Sequence, residues 1–290
     1  MIAETYGGPE VLELADVSMP QAGPNGVLVR VHGSSVNPID WKLRKGLFNA
    51  LWKLRFPVIW GCDLSGVVEQ TGNAVTLFKP GDEVYGFKHG HVAKTYRGAY
   101  AEYVVSPESV LARKPKQLSH EEAASIPLAA VTAWQALHGQ GGLQSGQRVL
   151  IHAAAGGVGV FAVQIAKAAG AHVAATAGSH NQEFLRQLGV DLAIDYTRDR
   201  VEDKLSGYDL VLDGVGSSVW AILSSVAAGW KAGDVNFAHP GRTCRQTSVF
   251  QQNDRRSDGG ELSRFIERQE VRRRPSGASR RRSRKDQCSY

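Results

Sequence analysis

The sequence predicts an α/β protein: a β domain of barrel type, then a doubly wound parallel sheet. Three observations predict it. Residues 1–118 read as short alternating apolar runs broken by Gly and Pro. Residues 119–240 switch to compact apolar runs that alternate with helical stretches. Between the first of those runs and its helix lies a glycine-rich turn, Ala153-Ala154-Ala155-Gly156-Gly157-Val158-Gly159. Period-two runs between turn residues suit half-buried antiparallel strands, whereas near-continuous apolar strands separated by helices need cover on both faces.

In the first part the strands are Gly26-Val27-Leu28-Val29-Arg30-Val31, Gly66-Val67-Val68-Glu69-Gln70, Asp82-Glu83-Val84-Tyr85-Gly86 and Tyr100-Ala101-Glu102-Tyr103-Val104-Val105. Frequent turns between such runs suggest a barrel-like β domain. In the second part, strands at 148–153, 172–177, 192–196 and 209–213 alternate with helices at 160–169 and 182–188. Right-handed crossovers then wind the sheet both ways. A weaker signal places a fifth strand at 234–238.

Residues 241–290 differ. They hold 13 Arg and 1 Lys against 6 acids, a charge of +8, while the whole chain is +6. Residues 1–240 therefore carry −2, and any affinity for polyanions rests on the tail alone. A helix is expected at 260–271. Beyond it the Arg- and Ser-rich run cannot bury enough apolar surface to offset its ordering entropy, so disorder is expected.

Several functions are disfavoured. No run approaches the ~20 apolar residues that span a bilayer. Met1-Ile2-Ala3-Glu4 lacks a basic stretch followed by an apolar run, so no secretory signal is expected. Cys62, Cys244 and Cys288 lie far apart and form neither a metal pattern nor an even-numbered framework, which suits a reducing cytoplasm. His89, His91, His120, His138 and His152 lack metal-type i,i+4 spacing, and no Gly-x-Ser-x-Gly elbow supports acyl transfer. His89-Gly90-His91 is read as surface.

The turn before the second domain's first helix carries the chemistry. Ala154-x-Gly156-x-x-Gly159 matches a dinucleotide fingerprint with Ala in place of the first glycine. Gly156 lets backbone approach a pyrophosphate, and Gly159 lets the helix pack closely on its strand. The amides of Ala155, Gly156, Gly157, Val158 and Gly159, with the helix dipole, hold the phosphates. At the end of the next strand, enzymes using NAD place an acid for the ribose hydroxyls. Here the place reads Ala177-Gly178-Ser179-His180-Asn181, with no acid. Ser179 can donate to a 2′-phosphate, which favours NADPH; the same residues can cap the next helix, and the two roles are compatible.

Longer motifs carry a resemblance. Ser35-Val36-Asn37-Pro38-Ile39-Asp40-Trp41-Lys42, Phe56-Pro57-Val58-Ile59-Trp60-Gly61-Cys62-Asp63-Leu64-Ser65-Gly66-Val67-Val68, Phe78-Lys79-Pro80-Gly81-Asp82-Glu83-Val84-Tyr85-Gly86, Gly98-Ala99-Tyr100-Ala101-Glu102-Tyr103 and Ala123-Ala124-Ser125-Ile126-Pro127-Leu128-Ala129-Ala130-Val131-Thr132-Ala133-Trp134 fall in order with the glycine turn. Over about residues 1–235 the chain resembles the zinc-free branch of the medium-chain dehydrogenase/reductases, the quinone oxidoreductases and zeta-crystallin-like enone reductases. The resemblance implies a GroES-like β domain, a Rossmann domain and an active cleft between them. It implies hydride transfer from NADPH to a quinone or an α,β-unsaturated carbonyl, with Asn37 beside substrate and nicotinamide and Thr132 at the nicotinamide end. Ser179 and Tyr196 correspond to positions around the adenine ribose and its phosphate. A homodimer is compatible with it.

Zinc-dependent relatives place Cys where Asn37 stands and His-Glu where Cys62-Asp63 stand. Tetrahedral zinc needs three or four N, S or O ligands, and Cys62 with Asp40 or Asp63 is a poor set, so a small buried thiol and no metal are expected. Without a metal, the developing enolate or quinol oxygen needs hydrogen-bond donors. Asn37 could donate through its amide. Close relatives often carry Tyr at the place of Trp41, whose indole N–H is no practical acid; Lys42 is the substitute, with an exposed loop lysine as the plainer reading.

After about Gly233 the family's return segment cannot be followed. One reading makes the tail an arm for nucleic acid or another acidic surface; the favoured one is a shifted reading frame or misplaced gene end, with an incomplete β domain and dimer edge. The alternative function is then a cofactor-binding family member whose catalysis is impaired.

Overall fold

The computed structural model describes residues 1–49, 53–88 and 97–215, and the backbone of 237–238. Its first sheet is five-stranded and antiparallel: β2 (Gly26–Gly33), β4 (Asp63–Thr71), β5 (Glu83–Phe87), β6 (Tyr103–Pro107) and β7 (Leu111–Arg113), in the order β6-β2-β4-β5-β7. A small pair, β1 (Ile2–Ala3) with β3 (Val58–Ile59), lies beside helix α1 (Pro38–Arg44). Alternation drives the packing. Val27 and Val29 of β2 meet Leu64 and Val68 of β4, Val84, Val104 and Leu111 in one core.

Helix α2 (His120–Ala124) packs against the first sheet. A Cβ on Gly33 would stand 2.8 Å from the His120 carbonyl oxygen, so only glycine permits that approach. Ser65 Oγ and His120 Nδ1 lie 2.8 Å apart. Helix α3 (Pro127–Trp134) continues into one π turn and packs on the second unit, so the 119–140 stretch joins both.

The second sheet runs β10-β9-β8-β11-β12, from β8 (Arg148–Ile151), β9 (His172–Ala177), β10 (Leu192–Asp195), β11 (Leu210–Leu212) and β12 (Phe237–Ala238). Helices α4 (Gly157–Ala168), α5 (Gln182–Gln187) and α6 (Val201–Lys204) connect it. Both faces are covered, as expected. Val149, Ile151, Val173 and Ala175 bury against Leu137, Ala162, Val163 and Ala166, while Leu150, Ala174 and Val211 bury against Val201, Leu205 and Tyr208. Strands β8 to β11 are parallel; β12 pairs antiparallel with β11, so the expected fifth strand is a two-residue reversed edge.

Several element ends shift by a few residues, and one shift bears on the site. Helix α4 begins at Gly157, not at Val160. Glycine is a poor helix former, but burial of Gly159 against Ala153 and Ala154 holds the turn. The expectations for residues 241–290 and for His89 and His91 lie outside the described residues.

Candidate active site

At the glycine turn, Ala153 has φ +52°, the one non-glycine residue with positive φ among the described residues, and swings the chain from β8 into α4. Ala154 N–H donates to Thr176 O at 3.0 Å, and Gly156 N–H to Ala153 O at 2.9 Å. A Cβ on Gly159 would meet Ala153 O at 2.4 Å and Ala154 Cα at 2.6 Å. On Gly157 it would meet nothing within 4 Å. Gly156 caps α4 without a side-chain hydrogen bond, so the first-turn amides face outward with no side chain closing them. This turn lies between β9 and β11, where the connections leave β8 in opposite directions, the position at which open parallel sheets hold their ligands.

Three buried polar groups border that crevice. His152 Nδ1 lies 2.9 Å from Thr176 Oγ1, while no partner meets its buried Nε2 among the described residues. Burial lowers the His152 pKa, against an opposing pull from Asp213. Asp213 Oδ1 accepts from Val215 N–H at 2.8 Å.

Tyr196 Oη would stand 3.6 Å from a Cβ on Gly178, the residue between the end of β9 and Ser179. Another residue reaches Ser179, and it corrects the sequence reading. Asp195, at the end of β10, accepts from Ser179 Oγ at 2.5 Å. The corner therefore does contain an acid. It comes from the next strand over, a place a search along β9 alone does not reach.

The other centre joins α1, β4 and α3. Asp63 is fully buried, and its Oδ2 accepts from Ser35 Oγ at 2.6 Å and Asn37 Nδ2 at 2.8 Å. Its Oδ1 accepts from Leu128 N–H, at the start of α3, at 2.9 Å. Burial pushes the Asp63 carboxyl up to about 6, against these hydrogen bonds and with help from the charge of Asp40. Asn37 Nδ2 also donates to Ser35 Oγ at 3.1 Å, so both amide protons are spent inside the protein. The expected role as an oxyanion donor is thereby revised: what Asn37 has left to offer is its carbonyl oxygen, an acceptor.

Cys62 is the buried thiol expected, 3.0 Å from Asp40 Oδ1. Asp40 Oδ2 accepts from Asn37 N–H at 2.8 Å and Tyr100 Oη at 3.4 Å. Burial raises the Asp40 carboxyl, and burial with the Asp40 charge raises the Tyr100 phenol. No group of three His, Cys, Asp or Glu suited to a metal occurs among the described residues.

Thr132 Oγ1 donates to Leu128 O at 2.7 Å, so its proton is spent on its own helix. Trp41 is exposed, with Lys42 Nζ 5.7 Å and Lys45 Nζ 5.5 Å from its ring centroid. Neither Trp41 nor Lys42 joins the Asp63 network. As a zinc ligand Asp63 is poor; its place in the sequence, a carboxylate opening the apolar strand β4, is the signal of this buried anchor.

An antiparallel β unit and a parallel sheet with an open glycine turn at its switch point form an architecture whose crevice suits a dinucleotide. The comparisons agree. The alcohol dehydrogenase GroES-like domain matches residues 23–116, and the zinc-binding dehydrogenase domain matches 157–236. The chain is 36% identical over 253 residues to a chloroplastic quinone-oxidoreductase homolog of Spinacia oleracea, covering 84% of this chain and 75% of the relative. It is 39% identical over 244 residues to the mitochondrial NAD(P)H oxidoreductase RTN4IP1 of Mus musculus, covering 76% of this chain but only 61% of that protein. The NADPH-dependent alkenal/one oxidoreductase of Arabidopsis thaliana is 39% identical over 216 residues, which is 73% of this chain and 55% of the relative. Among solved structures, the quinone oxidoreductase of Coxiella burnetii superposes with TM-score 0.74 at 30% identity, covering 92% of this chain and 87% of that one. The Escherichia coli quinone oxidoreductase complexed with NADPH superposes with TM-score 0.67 at 27% identity, covering 78% and 69%. The chain belongs to the medium-chain dehydrogenase/reductase superfamily, in its quinone and enone reductase branch.

Proposed function

We propose that this chain is an NADPH-dependent reductase of quinones or α,β-unsaturated carbonyls that works without a metal. The observation that carries the reading is the uncapped first turn of α4, with Gly159 pressed on Ala153 and Ala154. Its amides at Gly157, Val158 and Gly159, with that of Ala155 before it, take the pyrophosphate, while Gly156, whose own N–H is bonded to Ala153 O, lets the backbone come close. The reduced nicotinamide supplies the hydride.

The chain's residues position the reactants. Asp63 ties Asn37 to the start of α3, so the acceptor Oδ1 of Asn37 and the helix that carries Thr132 hold a fixed relation. That acceptor suits a donor on the nicotinamide half, such as its carboxamide or a ribose hydroxyl. With Asn37's protons committed, the oxygen that gains charge draws its proton from solvent, and the exposed Trp41 and half-buried Lys42 of α1 are assigned to the mouth of the site. Ser179 and Tyr196 take the adenosine ribose. Metal independence is supported by the donor set: Cys62 is engaged with Asp40, and Asn37 and Asp63 bind each other.

The test is NADPH oxidation by purified protein with 1,2-naphthoquinone and with a simple enone. Turnover of either supports the reading. Saturable cofactor binding with no turnover favours the impaired family member, a reading that the spent Asn37 protons also motivate.

A further inference from the structure

Ser179 and Thr197 each carry one hydroxyl proton, and one carboxylate claims both. Ser179 Oγ lies 2.5 Å from Asp195 Oδ2, and Thr197 Oγ1 lies 2.7 Å from Asp195 Oδ1. Thr197 N–H adds a third bond to Oδ1 at 3.0 Å. The two hydroxyl oxygens stand 3.1 Å apart, with their protons already committed. What this corner shows a ligand is therefore lone pairs and a negative charge. A ribose hydroxyl can donate into it; a phosphate ester, which needs donors and cations, cannot use it as it stands.

The cation of the corner is engaged as well. Arg198 Nε lies 3.7 Å from Asp195 Oδ2, with its side chain 78% exposed and free to turn outward. Tyr196 stands beside Gly178, and His180 follows Ser179. Asp195 thus occupies the partners that an adenosine 2′-phosphate would take: Ser179, Thr197 and Arg198.

We infer that Asp195 is the residue that sets the balance between NADPH and NADH, acting as an internal stand-in for the 2′-phosphate that a bound NADPH must displace. This rests on the dinucleotide reading of the α4 turn and deepens it. Hydrogen bonds from Ser179 and Thr197 hold the Asp195 carboxyl below its ordinary range, so it stays charged at neutral pH. NADH meets no such competitor, because its 2′-hydroxyl can add one more hydrogen bond to the carboxylate. NADPH gains Ser179, Thr197 and Arg198 only after the carboxylate has let go of them.

The test is a fluorescence titration of full-length protein with NADPH and with NADH, for the wild type, Asp195→Asn and Asp195→Glu. Removing one full charge beside a phosphate at partly solvated range shifts the affinity ratio toward NADPH by about tenfold in Asp195→Asn. Asp195→Glu keeps the charge and leaves the ratio within about threefold of wild type. A ratio unchanged in Asp195→Asn, with both nucleotides still bound, overturns this inference and leaves the dinucleotide reading standing. Uptake of neither nucleotide by folded wild type overturns both.

Discussion

Asn37 Nδ2 donates to the buried Asp63 Oδ2 at 2.8 Å, and the same nitrogen donates to Ser35 Oγ at 3.1 Å. The amide of Asn37 is thereby fixed in orientation, with its oxygen left over. Asp63 fixes a second element too, because its other oxygen receives Leu128 N–H at the start of α3. One carboxylate sets both the polarity that Asn37 presents and its distance from the helix that carries Thr132.

Asp63→Asn puts a donor where an acceptor is required. Either its NH2 faces Asn37 and Ser35, or it faces Leu128 N–H, so at least one bond is lost in each orientation. We expect kcat for enone or quinone reduction to fall by about tenfold or more, the equivalent of about one such bond. The NADPH dissociation constant should change by less than about threefold, because the pyrophosphate grip lies elsewhere. Steady-state kinetics with a cofactor titration separates the two. Equal losses in both would place Asp63 in general folding only.

The raised Asp63 carboxyl gives stability and activity opposite trends with pH. Its folded value, about 6, exceeds the ordinary 3.8 of an aspartate, so between these values the folded state binds more protons than the unfolded one. Stability therefore falls as pH rises through that window, by about 3 kcal/mol across it. Activity does the reverse, since only the carboxylate accepts Asn37 and Ser35 together. Denaturant unfolding of wild type against Asp63→Asn should show the stability difference, and kcat/KM should show an acid limb near about 6 that the variant lacks.

Gly159 and Gly157 should part company. In Gly159→Ala the new Cβ meets backbone, Ala153 O at 2.4 Å, so the turn must move and cofactor binding should be lost, with about 1–3 kcal/mol of stability. Gly157→Ala meets nothing within 4 Å and should melt within a few degrees of wild type. Calorimetry and fluorescence titration of both variants check this; a wild-type titration for Gly159→Ala would contradict it.

Trp41→Phe and Lys42→Ala test whether the mouth of the site contributes a proton. Trp41 is exposed beneath the ammonium groups of Lys42 and Lys45. With solvent as donor, kcat in each should stay within about twofold, the usual effect of a surface change. A loss of about a hundredfold in Lys42→Ala would assign the proton to that lysine.

What was legible in the sequence follows the reach of its patterns. The strand runs and the glycine turn are carried by local spacing or by motif, and they stand in the structure. The start of α4 was misplaced because propensity discounts Gly157 and Gly159, whereas packing against Ala153 retains them. Asp195 on Ser179 and Asp63 on Leu128 N–H join residues 16 and 65 positions apart. No periodicity encodes such pairs; they exist because neighbouring strands end side by side and because α3 starts over β4. The orientation of the Asn37 amide was equally out of reach, since it depends on which of its neighbours is a carboxylate.

The most direct test is fluorescence titration of purified wild type with NADPH, run beside Gly159→Ala. The account predicts saturable binding by wild type and none by the variant while both remain folded by circular dichroism. Folded wild-type protein that takes up neither NADPH nor NADH would contradict it.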